Sequence, residues 1–379
     1  MSIRNNNLGS IVKPGFNALG AQTSTTTYTY ELWSWGSNSE GRLGLNNTTY
    51  YSSPKQVGAL TTWSRIVGGY GFTIATKTDG TLWSWGQNNT GQLGIGSTVD
   101  KSSPNQIGAL TTWYKIAAGQ QHTIATKTDG TLWSWGQNSF GQLGLGNTTG
   151  YSSPKQVGAL ATWSNVACGA AFTLATKTNG TLWSWGNGTY GQLGIGNTAY
   201  YSSPKQIGAL TTWLNIAGGQ HQTIAIKTDG TLWSWGQNNN GQLGLGNLTY
   251  YSSPKQVGAL TTWYNVACGK FHVLATTTAG ALWVWGVNNS GQLGIGGPLV
   301  AKSSPNQVGA LTTWLAVAGG GYFSIANKTD GTLWTWGLNT QGQLGLGNTT
   351  DYSSPKQVGA LTTWSVIAGG NVHTIALKY

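Results

Sequence analysis

The chain has 379 residues and a formal charge of +11, with 59 glycines, 21 tryptophans and only 7% charged residues. This composition is too aromatic for a disordered chain and too poor in helix-forming charges for a helical bundle, and it fits short strands joined by tight turns. The positive charge is nearly all lysine, with arginine only at Arg4, Arg42 and Arg65, so the bidentate forks that read guanine edges or clamp phosphates are almost absent and specific nucleic-acid recognition is not expected.

Taken in chain order, the opening stretch SIRNNNLGSIVKPGFNAL (2–19) lies outside everything that follows. It lacks the apolar run of a signal peptide, and no later stretch could span a bilayer, so synthesis and folding in a cytoplasm without membrane insertion are expected. The remainder repeats with a period of 50 residues, or 51 where Gly297 to Lys302 carries one extra. Every repeat has three tryptophans in the same places, for example Trp83, Trp85 and Trp113, and seven such sets account for all 21. The repeat is therefore the folding unit.

Within one unit, FTIATKT (72–78) and TLWSWG (81–86) are β-rich runs around Asp79-Gly80, the two-residue signal for a type I′ hairpin. Alternation places Trp83 and Trp85 on one face of the sheet, toward the next unit, with Leu82 and Ser84 on the other. Two further strands are expected around PKQVGAL (54–60) and WSRIVGG (63–69), with glycine-rich GQLGIG (91–96) as connector. Four short strands per unit make one propeller blade, and seven units predict an all-β, seven-bladed β-propeller over residues 27–379.

Leu-Trp-x-Trp-Gly begins at Leu32, Leu82, Leu132, Leu182, Leu232, Leu282 and Leu333, yet a glycine turn precedes it only six times. The chain ends at HTIALKY (373–379), a match to FTIATKT with no turn after it, while TYTYE precedes the first copy. Residues 27–36 and 373–379 should therefore pair in one blade, so that the N- and C-terminal strands close the ring and remove its exposed sheet edges.

The run HTIATKTDGTLWSWGQNSFGQLGLG (122–146) resembles the signature of the regulator of chromosome condensation repeat family, and the resemblance extends from about residue 31 to the end. It implies a seven-bladed propeller whose ends share a blade. The founding member of that family is a nucleotide exchange factor for a small GTPase and binds chromatin, using a protruding wedge and particular acidic and histidine side chains. Here the repeats are nearly uniform, none has an insertion longer than one residue, and Asp79, Asp100, Asp129, Asp229, Asp330 and Asp351 occupy ordinary turn or loop positions. Residues 2–19 resemble the leader of propeller proteins encoded by tailed bacteriophages of aquatic bacteria. That resemblance implies a virion protein (fibre tip, decoration or host-adhesion domain) docked onto other virion proteins through residues 1–26, with Ile3, Arg4, Ile11, Val12 and Phe16 as candidate contacts.

Catalysis has no candidate residues. His122, His272 and His373 stand where Phe72, Phe172 and Phe323 stand in other repeats, and His221 lies one residue earlier, so they read as packing groups. No Cys/His grouping has metal-ligand spacing, Cys168 and Cys268 read as small buried residues, and no cofactor is implied. The Asn-x-Thr triplets at Asn47, Asn147 and Asn348 are part of the repeat. Recognition falls on two variable features. One is a set of short loops carrying Tyr70, Gln120, Gln121, His221, Lys270, Phe271, Tyr322 and Asn371. The other is the loop before Ser-Ser-Pro, with Tyr50, Tyr51, Tyr151, Tyr200, Tyr201, Tyr250, Tyr251 and Tyr352, which could stack on sugar rings or cover a blade edge. In two units Lys-Ser-Ser-Pro-Asn (101–105 and 302–306) replaces Tyr-Ser-Ser-Pro-Lys, so the lysine crosses the proline while the unit keeps its charge. The sequence thus points to a non-enzymatic structural and binding propeller, most simply a virion component meeting a host-surface glycan or protein. The alternative is a cellular regulator of the guanine-nucleotide-exchange type.

Overall fold

A unit with four short β-runs and glycines at every bend buries its large side chains only by stacking on copies of itself, and the structure, a computed structural model describing residues 29–379, shows that stacking. The described residues form twenty-eight strands, β1 to β28 in chain order, in seven four-stranded antiparallel sheets. The first blade consists of β3 (Trp63–Gly68), β4 (Phe72–Lys77), β5 (Leu82–Gly86) and β6 (Lys101–Gln106). The second to sixth blades repeat it. The closing blade combines β27 (Trp364–Gly369) and β28 (His373–Lys378) with β1 (Glu31–Gly36) and β2 (Tyr51–Gln56). In it Leu32 lies opposite Leu377, Trp35 opposite Thr374 and Gly36 opposite His373. The expected closure is met over 31–36 and 373–378. Tyr30 instead bridges to Thr62, and residues 27 and 28 lie outside the described residues.

Two local expectations are corrected. The Asp-Gly hairpin is not a type I′ turn, because that turn needs positive φ at both central residues and, among non-glycine residues described, only Asn46 has one. Gly80 N–H donates to Lys77 C=O and Lys77 N–H to Thr81 C=O, both at 3.0 Å, with Gly80 at φ +78°. This is a three-residue loop, a type I turn followed by a left-handed glycine. Asp79 is kept for its carboxylate: Oδ1 accepts from Thr81 N–H at 2.9 Å and Thr81 Oγ1 at 2.7 Å, and that hydroxyl accepts from Trp83 Nε1 at 2.9 Å. In the closing blade, where the turn is missing, Glu31 takes over. It accepts from Trp33 Nε1 at 3.0 Å and pairs with Lys378 at 3.2 Å.

The second correction concerns direction. Trp85 packs with Leu32, Ile375 and Leu377 of the closing blade, so the tryptophans face the preceding unit, not the next; Leu82, on the other face, packs against Trp113 and Trp135 of the following blade. Alternation defines two faces, and only the packed ring decides which neighbour each one meets. Trp63 meets Trp83 and Trp85 edge-on at 6.2 and 5.9 Å, an arrangement favoured by the ring quadrupoles.

Because successive strands are antiparallel, the loops between first and second strands and those between third and outer strands share one face, called upper here. The hairpins and the blade-to-blade loops share the lower face. The outer strand starts earlier than expected, at Tyr51, and Val57 to Leu60 turns toward the next blade on that lower face. There Leu60, Leu110, Leu160, Leu210, Leu260, Leu311 and Leu361 are all about half exposed.

Candidate functional site

Seven blades built from one unit differ chiefly at their upper ends, and the topology brings both variable loop sets to that face. Around the axis the first strands end in small residues, Gly68, Ala118, Cys168, Gly218, Cys268, Gly319 and Gly369, because the backbones converge there: a Cβ on Gly68 would lie 2.7 Å from Gly370 N. The two cysteines are free, and burial pushes both thiols up, away from thiolate reactivity. Main-chain bonds stitch the mouth from blade to blade, for example Gln120 N–H to Ala170 C=O and Gln220 N–H to Lys270 C=O, both at 3.0 Å. Of the predicted loop residues, Tyr70, Gln120, Lys270 and Asn371 line this axial mouth. Gln121, His221, Phe271 and Tyr322 stand one residue further along and are half-buried.

The mouth is chemically lopsided. On one side the second, third and fourth blades supply Gln120, Ala170 and Gln220. On the other, an arc holds Lys270 with Phe271 and Tyr322, then Asn371 and Tyr70, with Arg42 near Tyr70 and Tyr50. Phe271 and Tyr322 have ring centroids 6.2 Å apart at 50°, and Lys270 Nζ lies 5.6 Å from each centroid. Burial, with the nearby Tyr70, raises the Tyr322 phenol above its usual range. Arg42 is 4% exposed, ion-paired with Glu40, and donates to Ser39 Oγ at 2.8 Å. Burial lowers its pKa, opposed by Tyr50, Tyr70 and Asp100.

Arg42 was not among the sequence candidates, although its signal was present: Gly-Arg-Leu-Gly interrupts six copies of Gly-Gln-Leu-Gly. Tyr190 was also missed. It lies 4.8 Å from His221 and 5.9 Å from Tyr250 by ring centroid. Its position, just before that motif, varies through Glu40, Thr90, Phe140, Tyr190, Asn240, Ser290 and Gln341.

The tyrosines before Ser-Ser-Pro divide into two groups. Tyr50, Tyr200 and Tyr250 are exposed on the upper face, where Tyr200 accepts from Thr189 Oγ1 at 2.9 Å and meets Phe140 at 5.3 Å. Tyr51, Tyr151, Tyr201, Tyr251 and Tyr352 begin the outer strands and are half-buried, each with a lysine of its own strand 5.3 Å from the ring centroid. The lysines thus form a belt around the circumference. In the two exchanged units Lys101 and Lys302 take the tyrosine position, and Asn105 and Asn306 fold back onto Ser103 and Ser304 C=O at 2.6 Å. Lysine and proline on every outer strand suit an unpaired sheet edge, which they protect from adding another chain.

The histidines pack as expected. His122, His272 and His373 are fully buried against Thr173, Ser324 and Thr73 at 3.1, 2.9 and 3.3 Å. Burial lowers His122 to about 3 and His272 to about 4, and lowers His373 well below its ordinary value with Arg42 adding to the shift. Half-buried His221 falls to about 4, from burial and then Lys270. The candidate docking residues Ile3, Arg4, Ile11, Val12 and Phe16 lie outside the described residues.

The one-residue insertion lies beside a concavity on the arc. A cavity of about 310 Å³ opens between the fifth and sixth blades, lined by Phe271, Tyr322, Asn240, Asn289, Leu299 and Ala301 among others.

Comparison with known proteins agrees with this architecture. The model of the regulator of chromosome condensation (RCC1) repeat matches seven segments, 31–76, 79–126, 129–176, 179–226, 229–276, 279–326 and 330–377. No curated protein sequence matches the chain. Among solved structures, human WBSCR16 is 23% identical, with TM-score 0.83 over 92% of this chain and 98% of that one. Prp20p from Saccharomyces cerevisiae is 21% identical, with TM-score 0.82 over 93% and 92%. At such identities the likeness establishes the fold alone. With seven repeats matched from residue 31 to residue 377, the chain belongs to the regulator of chromosome condensation (RCC1) repeat family.

Proposed function

We propose that the chain is a non-enzymatic binding propeller that presents its upper face to a macromolecular partner, as a host-adhesion or decoration protein of a phage particle joined to its neighbours through residues 1–26. One observation carries the reading: a near-uniform ring diverges at one face, where Lys270 packs on Phe271 and Tyr322, and Tyr70 and Tyr50 stand near the buried Arg42. Burial lowers the imidazoles and raises the thiols, which supports a binding rather than a catalytic reading, and aromatic rings with a few cations suit adaptable recognition. Mass spectrometry of purified particles from the source tests the setting. The protein is expected among the particle proteins, and its absence would overturn the virion role.

A second reading starts from membership of the repeat family; Prp20p, which shares the fold, was characterised together with its binding to Gsp1p and histones. On that reading this propeller also takes a protein partner, a small GTPase, and speeds release of its nucleotide. A nucleotide-release assay separates the two: the binding-propeller reading expects no acceleration.

A further inference from the structure

The notch between the fifth and sixth blades is unlike its six counterparts. Its walls come from three blades: Asn240 from the fourth, Phe271, Asn289, Leu299 and Ala301 from the fifth, Tyr322 from the sixth. The single extra residue of the chain, in Gly297 to Lys302, builds the outer wall, and Leu299 and Val300 beside it are 53% and 54% exposed. At about 310 Å³ the cavity is at the lower end of small-ligand sites.

The side chains define the ligand. Two aromatic rings inclined at 50° contribute to a lining that is otherwise largely polar, and ring surface of this kind suits the C–H face of a saturated ring. Lys270 lines the axial mouth rather than the notch itself, but its Nζ stands 5.6 Å from both centroids and forms no ion pair among the described residues, so it offers one positive charge beside the two rings. Asn240 donates through Nδ2 to Asn239 Oδ1 at 3.2 Å, leaving its own Oδ1 as an acceptor. Asn289 accepts through Oδ1 from Gln292 Nε2 at 3.1 Å, leaving its amide N–H groups as donors. One acceptor, one donor group, one cation and two ring faces match a polyhydroxylated ring carrying a carboxylate.

A peptide fits less well, because main-chain groups beside the two rings are already paired. Lys270 N–H donates to the Gly320 and Gly321 carbonyls at 3.2 Å, Val287 N–H to Phe271 C=O at 3.0 Å and Leu338 N–H to Tyr322 C=O at 2.9 Å. No strand edge is open in the notch for a peptide to extend.

We propose that this notch binds a uronic-acid-class sugar unit of a surface glycan, with the ring on Phe271 and Tyr322, the carboxylate on Lys270 and hydroxyls on Asn240 and Asn289. The proposal rests on reading the upper face as the binding face. The test titrates the full chain with sodium glucuronate, with glucose and with a blocked Asp-Phe dipeptide, followed by saturation-transfer NMR. Glucuronate should bind saturably and more tightly than glucose. Lys270→Met should weaken glucuronate by about tenfold, the scale of one charge-assisted hydrogen bond, while changing glucose little. Phe271→Ala should weaken both sugars, and Tyr322→Phe, which keeps the ring face, should retain both. Preference for the dipeptide, no saturable sugar binding, or glucuronate binding untouched by Lys270→Met would each overturn the assignment. If the sugar assignment fails while the labelled chain still binds cells and Tyr70→Ala abolishes that binding, the reading of the upper face stands without it.

Discussion

Trp35 Nε1 donates to the main-chain carbonyl of Gln343 at 3.0 Å across 308 residues of sequence, and Thr374 Oγ1 donates to the same carbonyl at 2.7 Å. The same double acceptance joins other neighbouring blades, as at Gln92, which receives Trp135 Nε1 at 3.0 Å and Thr123 Oγ1 at 2.8 Å. At the joint the two donors come from opposite ends of the chain, so both ends are latched to the sixth blade while the β1–β28 ladder holds them in one sheet. Deleting residues 373–379 removes β28, leaving Leu32 and Trp35 without their partners, and should abolish cooperative folding. A truncated chain that melted like the full one would contradict the closure, as read by circular dichroism.

Glycine in the connector is a steric requirement at Gly94. Its φ is +72°, and a Cβ would lie 2.6 Å from Trp135 Nε1, the atom that latches to Gln92. Gly94→Ala should cost about 3 kcal/mol, from the left-handed backbone and the displaced indole together. Gly58→Ala has φ +63° with nothing within 4 Å, and should cost only about 1 kcal/mol, from the backbone alone. Denaturant titration of the two variants compares them.

The fifth blade lacks the relay that holds the outer tryptophan elsewhere. Asp79, Thr81 and Lys77 serve Trp83, with Lys77 Nζ 3.6 Å from the ring centroid. At the matching places the fifth blade has Ala279, Ala281 and Thr277, and Trp283 Nε1 is buried without a partner. Ala281→Thr combined with Ala279→Asp should stabilise the ring by about 1 kcal/mol, and Thr81→Ala should destabilise it by a similar amount. Thermal unfolding of the variants checks both signs.

Acid should weaken the ring before any carboxylate titrates. The buried imidazoles are neutral when folded, while the unfolded chain protonates them below about 6.5. The unfolded state therefore binds more protons, and stability falls as pH drops from about 6.5 toward the folded values of about 3 and 4 for His122 and His272. Each such histidine contributes a slope of about 1.4 kcal/mol per pH unit in that window. His122→Phe, copying Phe72, should remove one proton from the slope measured between pH 4.5 and 6.

Much of the fold was legible because the unit repeats: period, strand number and closure all follow from copies compared with one another. Two details were not. Asp79-Gly80 has the composition of a two-residue turn, and only the Thr81 hydrogen bonds show why aspartate sits there with ordinary φ. Alternation gave Trp83 and Trp85 a common face without saying which neighbour it meets. The site was legible residue by residue but not as a surface. Phe271 and Tyr322 come from different repeats, and Asn240 from a third, so their meeting is a property of the closed ring. Arg42 and Tyr190 sit in or beside a motif whose other copies are scaffold, and only the packed ring brings them to the variable face.

The claim that the arc on the upper face is the recognition surface is tested most directly by binding of the labelled full chain to cells of the host. The chain with Tyr70→Ala, Phe271→Ala and Tyr322→Ala together should lose binding, while one with Leu160→Ser and Leu210→Ser on the lower face should keep it. Binding retained by the first variant and lost by the second would contradict the account.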